Sequence, residues 1–205
     1  NFANFSIALG DTLTEPAHPG MKFDAIVSNP PYSVKWVGDA NPILINDARF
    51  APAGILAPKS KADLAFVMHI LASLKESGKA AIVEFPGVLY RSGAEQKIRR
   101  YLLENNFIET VIQLPVNLFF GVGIATCIIV LRKGAKKDNQ VLFVDAGKEF
   151  VHIGNKNQLT PGNQQHIAEI VARREEVPYI SKLVTNTDII ARGSCLTVSN
   201  YVEQP

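Results

Sequence analysis

The chain has 205 residues, 47% hydrophobic and 20% charged, with a formal net charge of +2. That is enough apolar chain for one α/β core. It is too nearly neutral for a global field to favour or exclude nucleic acid. No apolar run reaches the roughly 18 residues of a membrane span. The two cysteines, Cys127 and Cys195, are far apart and lack metal-ligand spacing. They fit a reducing, cytoplasmic setting rather than a disulfide framework, and Cys127, inside an apolar run, reads as a small core residue. The chain starts at Asn1 rather than Met, as a piece of a longer protein would.

In chain order, Phe5-Ser6-Ile7-Ala8-Leu9 reads as a short strand that ends in Gly10-Asp11-Thr12-Leu13. Asp11 is equally a turn former or an acceptor for an amino group. Phe23-Asp24-Ala25-Ile26-Val27 reads as a buried strand. It delivers Ser28-Asn29-Pro30-Pro31-Tyr32 to its carboxyl end, where open α/β sheets bind ligands. Asn29 offers an amide oxygen as acceptor. Pro30 and Pro31 stiffen the loop and fix where the carbonyls of Asn29 and Pro30 point. Tyr32 offers a flat ring for stacking. Two acceptors and one aromatic face suit a planar ring with an exocyclic amino group. The plain alternative is a proline-rich turn with a half-buried tyrosine.

Residues 33–60 form a long loop, which in a compact domain is usually functional or mobile. Its Lys35, Trp36, Arg49 and Lys59, with Lys61 just beyond, fit a nucleic-acid track. They fit equally a solvated loop held by a buried Trp. Ser60-Lys61-Ala62-Asp63 predicts a capping box, followed by a helix with Leu64, Val67, Met68, Leu71 and Leu74 on one face and Gly78 as its stop. Met68 and His69 need no function there. Lys79 to Phe85 is the next buried strand. Ser92-Gly93-Ala94-Glu95 predicts a second capping box and a helix with Ile98, Tyr101 and Leu102 inward. Arg91, Lys97, Arg99 and Arg100 are expected to be solvated or to contact phosphate.

Asn105-Asn106 ends that helix. Ile108–Leu114 and Ala125–Leu131 predict a hairpin across Asn117-Leu118-Phe119-Phe120-Gly121-Val122-Gly123, and Val141–Val144 a further strand. Thr160-Pro161 marks the start of a helix, with Ile167, Ile170 and Val171 on one face. Residues 177–205 show no periodicity. The division is residues 1–150 as the α/β unit and 151–205 as a helical and irregular tail, which packs on its own domain or offers a contact for another subunit. Alternating strands and helices predict a mostly parallel sheet.

Asn29-Pro30-Pro31-Tyr32 resembles the catalytic motif of S-adenosylmethionine-dependent amino-group methyltransferases. Such enzymes act on DNA adenine N6, RNA guanine N2 or protein glutamine. Asn117-Leu118-Phe119-Phe120-Gly121 before Ala125–Leu131 looks most like the modification subunit of type I restriction–modification systems. The resemblance extends over Asp63–Val67, Ile98–Leu102 and Leu196–Tyr201, nearly the whole chain. It implies a Rossmann-like methyltransferase fold, here partial and lacking the first strands, with the closing hairpin strand inserted antiparallel between its two predecessors. It implies Asn29, Pro30, Pro31 and Tyr32 as catalytic and Tyr32 with Phe119 as base-stacking residues. Asp11 and Asn29 fall on the cofactor side. It implies S-adenosylmethionine as methyl donor, no metal, double-stranded DNA as substrate, and specificity and restriction subunits as partners. Phe119 and Phe120 are otherwise hairpin core. The family's glycine-rich cofactor loop has no counterpart before Asp11. The chain alone is therefore expected to bind the cofactor weakly and to be inactive. A catalytically silent docking subunit is the rival of a different class.

Overall fold

The computed structural model describes residues 4–119, 123–134 and 136–204. Its main sheet has six strands: β1 (Phe23–Ser28), β2 (Leu74–Glu84), β3 (Ile108–Gln113), β4 (Cys127–Arg132), β5 (Gln140–Asp145) and β8 (Ser181–Thr185). They lie in the order β1-β2-β4-β3-β5-β8. β1 runs parallel to β2, and β3 parallel to β5. β4 is antiparallel to both β2 and β3, between which it is inserted. The hairpin strand thus falls where the sequence put it. A second antiparallel strand, β8, comes from the tail and pairs with β5.

Alternation sorts the side chains onto two faces. Cys127, Ile129 and Leu131 of β4, with Val141 and Phe143 of β5, face the cluster shared with α1 (Asp63–Ser73) and α2 (Ala94–Glu104). Val130, Leu142 and Val144 face the other way, against Ile167 and Ile170 of α3 (Pro161–Arg173). Thr160 caps α3 by accepting from the Asn163 amide, with Pro161 in the first turn, as the sequence predicts. A two-stranded ribbon, β6 (Val151–Ile153) with β7 (Lys156–Gln158), precedes α3. The tail closes on the first face. Tyr201 stacks on Phe143 at 4.2 Å between ring centroids, and α4 (Asn186–Ala191) buries Ile189.

Four local expectations are corrected. Phe23–Val27 is a strand but not a buried one: at the sheet edge, Phe23, Ala25 and Val27 are exposed. Residues 5–9 are not a strand. They pair with nothing in the sheet, and Phe5, Ile7 and Leu9 all face solvent, so the alternation has no second strand to complete it. Neither predicted capping box forms. α1 starts at Asp63 behind Ala62 with no side-chain cap, and α2 starts behind Gly93, also uncapped. In each case the acid has another partner: Asp63 accepts from the Ser33 amide, and Glu95 pairs with Arg91. Gly78 does not end α1, which stops at Ser73. Instead the β1–β2 register jumps, with Phe23 opposite Leu74 but Ala25 opposite Lys79. A Cβ on Gly78 would stand 2.8 Å from the Phe23 carbonyl oxygen, so only glycine fits where this bulge folds back on β1.

The 33–60 loop is packed against the core. Leu44, Phe50, Leu56 and Ala57 are buried in the first cluster. Trp36 donates its indole N–H to the Pro58 carbonyl at 3.0 Å and meets Phe50 edge-on. Arg49, read as a possible phosphate contact, is used internally. Its guanidinium donates to Thr12 O, Leu13 O and the Asp47 carboxylate, and contacts His69 Nδ1 at 3.1 Å. Burial and that guanidinium hold His69 down to about 4, so its ring stays neutral. No helix among the described residues is long and apolar enough to cross a membrane.

Candidate active site

Asn29 follows the last residue of β1, and Glu84 ends the neighbouring parallel strand β2. Both therefore lie at the same, carboxyl end of the sheet, as expected for a ligand site in an open α/β fold. Asn29 and Pro31 are exposed, Pro30 is buried and Tyr32 is half-buried. The buried proline anchors the loop while its neighbours reach outward. The Tyr32 hydroxyl donates to Asn29 Oδ1 at 2.7 Å. The amide oxygen that the sequence marks as an acceptor is thus turned towards Tyr32 and already accepts a hydrogen bond.

Ser33, the next residue, has φ 52°, a left-handed conformation that non-glycine residues seldom adopt. Its amide donates to Asp63 Oδ1 at 2.9 Å. Beneath the loop, burial, with the Asp63 carboxylate close by, pushes the Glu84 carboxyl up to about 9. Glu84 is therefore a neutral acid at pH 7. It shares a face with Cys127, its partner on β4. Neither Glu84 oxygen has a hydrogen-bond partner among the described residues, and Asp63 Oδ2 is likewise unpaired. Burial, then the Glu84 and Cys127 side chains, raises the Tyr32 phenol above its ordinary value. Tyr32 stays protonated and keeps its hydroxyl hydrogen for Asn29.

Of the residues marked in the sequence, Asn29, Pro30, Pro31 and Tyr32 come together in one loop. Asp11 sits in an exposed turn whose Leu13 amide it caps at 2.9 Å. Arg49 fastens that turn to the 33–60 loop through the Thr12 and Leu13 carbonyls. Phe119 is half-buried, packed on the cluster that α3 covers. Among the described residues it makes no ring contact with Tyr32. Phe120 lies outside the described residues. Sequence reasoning missed Glu84 and Asp63. A glutamate inside the apolar run Ala80–Phe85 was the available signal, since an acid in a buried strand seldom lacks a purpose.

A mostly parallel sheet with an inserted antiparallel hairpin strand, and Asn-Pro-Pro-Tyr at the end of β1, is the arrangement of the class I methyltransferase fold. The comparisons narrow it. The family model described as N-6 DNA Methylase matches residues 1–205. This chain belongs to that family. It is 45% identical over 210 aligned residues to the Type I restriction enzyme MpnII methylase subunit of Mycoplasma pneumoniae, covering 98% of this chain and 39% of that relative. The type I restriction-modification methyltransferase subunit from Streptococcus thermophilus superposes with a TM-score of 0.89 at 40% identity, covering 95% of this chain and 41% of that one. A class I S-adenosylmethionine-dependent methyltransferase from Listeria monocytogenes shares the fold at a TM-score of 0.53 and 19% identity, over 78% of this chain and 45% of that one. The chain thus spans about two-fifths of the length of the type I relatives it matches.

Proposed function

We propose that the intact protein is the modification subunit of a type I restriction–modification system. It would methylate the exocyclic N6 of an adenine swung out of duplex DNA, working in the cytoplasm with a specificity subunit and, in the full complex, a restriction subunit. The observation that carries this reading is the outward presentation of Asn29 above a buried Pro30, with Tyr32 beside it. The residues present suit the cofactor. Asn29 and Asp11 are exposed acceptors that can receive the cofactor's amino groups. S-adenosylmethionine, when bound, supplies an electrophilic methyl group.

The remaining work belongs to the chain. N6 is a poor nucleophile because its lone pair is delocalised into the ring, and inside a duplex it is out of reach. Tyr32 stacks on the extruded ring, and Phe119 approaches it from the hairpin. Asn29 Oδ1 releases the Tyr32 hydroxyl and accepts one N6 hydrogen, while the Pro30 carbonyl accepts the other. Two acceptors on N6 favour tetrahedral character and aim the lone pair. The catalytic contribution is orientation plus fixed dipoles, and no covalent enzyme intermediate is needed.

Asn29→Ala removes one of the two acceptors. It is expected to lower the methyl-transfer rate about 100-fold, the usual scale for one preorganised polar partner, and to leave DNA affinity within about threefold. Turnover close to wild type, measured with labelled cofactor, would remove Asn29 from the mechanism. The 205 residues alone are expected to bind S-adenosylmethionine weakly, because β1 is an open sheet edge with Val27 86% exposed. Micromolar binding by calorimetric titration would contradict that.

A further inference from the structure

We propose that Asp63 is the positioning residue of the acceptor loop: from the start of α1 it clamps the Ser33 amide and so fixes how Asn29 and Tyr32 are presented. The inference rests on reading Asn29–Tyr32 as the loop that holds the target amine.

Asp63 is 0% exposed, yet its carboxylate caps no amide of its own helix. The residue before it, Ala62, provides no side-chain cap either. Asp63 Oδ1 instead reaches across 30 residues of sequence to the Ser33 N–H at 2.9 Å. Ser33 needs that partner. Its φ of 52° is a conformation in which Cβ crowds the backbone, and a hydrogen bond to a buried side-chain oxygen offsets part of the cost. The first turn of a helix also favours an acid electrostatically. Two further bonds tie the same stretch down, from the Ala62 amide to the Val34 carbonyl and from the Trp36 amide to the Lys59 carbonyl. Those hold the chain beyond Ser33. Only the Asp63 bond acts at the residue where the left-handed turn redirects the backbone directly after Tyr32. From there the order passes along the chain to Tyr32 and through its hydroxyl to Asn29 Oδ1 at 2.7 Å. Release of Ser33 frees the rotation that sets the Tyr32 ring and the Asn29 amide plane, while the Val34 and Trp36 backbone bonds still hold the chain beyond it.

The test uses the full-length methylase with its specificity subunit and compares Asp63→Ala, Asp63→Asn and Ser33→Val. Asparagine keeps an acceptor oxygen in the same place. Valine at exposed Ser33 opposes the left-handed turn from the other partner, because a β-branched side chain resists positive φ. Two readouts are taken: amide hydrogen exchange over residues 29–36, and methyl-transfer kinetics. Asp63→Ala is expected to speed Ser33 amide exchange about tenfold or more and to lower kcat about 10–50-fold, with the KM for DNA within about threefold. Asp63→Asn is expected to recover kcat to within about threefold of wild type. Ser33→Val is expected to reproduce the alanine phenotype. If Asp63→Ala does not fold, the other two variants decide. Wild-type turnover in Ser33→Val overturns the proposal. So does an Asp63→Asn protein that keeps the protected amide but loses kcat, since charge rather than the clamp would then matter. A rise in KM with kcat unchanged overturns it too. A wild-type protein that makes no methyladenine removes the reading of the loop, while the exchange data still judge the clamp.

Discussion

Arg99→Ala is expected to destabilise the protein by about 3–5 kcal/mol, the scale for a truncated large side chain that leaves both a cavity and orphaned buried groups. Arg99 lies on α2, where a basic helix face predicts solvent, yet it is 1% exposed. It donates from Nε to the Ser194 carbonyl at 2.8 Å and from Nη1 to the Val88 carbonyl at 2.9 Å. It therefore joins three stretches: the turn after β2, helix α2 and the tail. Burial lowers its pKa below the ordinary arginine value, which shows that the guanidinium is held at a desolvation cost and that the two carbonyls must repay part of it. Removal leaves both carbonyls buried and unmatched. Urea melts should show the lost stability, and hydrogen exchange should rise first over residues 190–202. An unchanged midpoint would mean that the tail's other attachments, Tyr201 on Phe143, β8 on β5 and the Leu196 amide on Leu89 O among them, hold it without Arg99. Arg99→Lys should recover only part of the loss, because one ammonium cannot reach two divergent carbonyls as a planar fork does.

The second large effect is a pH dependence. Glu84 has a folded pKa of about 9, against an ordinary value of 4.5. Between those values the native state holds a proton that the unfolded chain has released, so stability falls as pH rises. The contribution is complete below the unfolded pKa and is lost as pH passes up through the folded one. From pH 5 to pH 8 the loss is at most about 4 kcal/mol, from roughly 1.4 kcal/mol per pH unit. Glu84→Gln does not titrate. Relative to wild type it should gain stability steadily from pH 5 to pH 8, as measured by denaturant melts at several pH values. Parallel pH curves for the two proteins would mean that Glu84 ionises in the fold at no cost. Glu84 is close enough to Tyr32 to raise its phenol, so the same substitution tests whether a neutral group is what that position requires.

Much of the candidate site was legible because the residues proposed to carry its chemistry are adjacent in sequence. Asn29 to Tyr32 follow an apolar run, and a strand end is where such a loop becomes useful. The hairpin of β3 and β4 and the Thr160-Pro161 cap were equally local. What was hidden depends on partners far away in sequence. β8 reads as Ser-Lys-Leu-Val-Thr, a half-buried edge strand with a weak pattern, and only β5 gives it a role. The acids at Asp63 and Glu95 look like capping-box residues by spacing, but Ser33 and Arg91 claim them. Arg99 and Arg100 are alike in sequence, and the fold sends one inward and leaves the other exposed. The row Phe5, Ile7 and Leu9 shows the converse error. Alternation alone names a strand, and pairing is what makes one.

The measurement that bears most directly on the central reading uses the full-length protein together with the specificity subunit proposed for it. It is incubated with S-adenosylmethionine and duplex DNA, and the DNA is then digested to nucleosides for mass spectrometry. N6-methyladenine in the wild-type digest, and its loss with Asn29→Ala, is the predicted result. Methyl label on RNA guanine or protein glutamine instead, or no transfer to any acceptor, would contradict it.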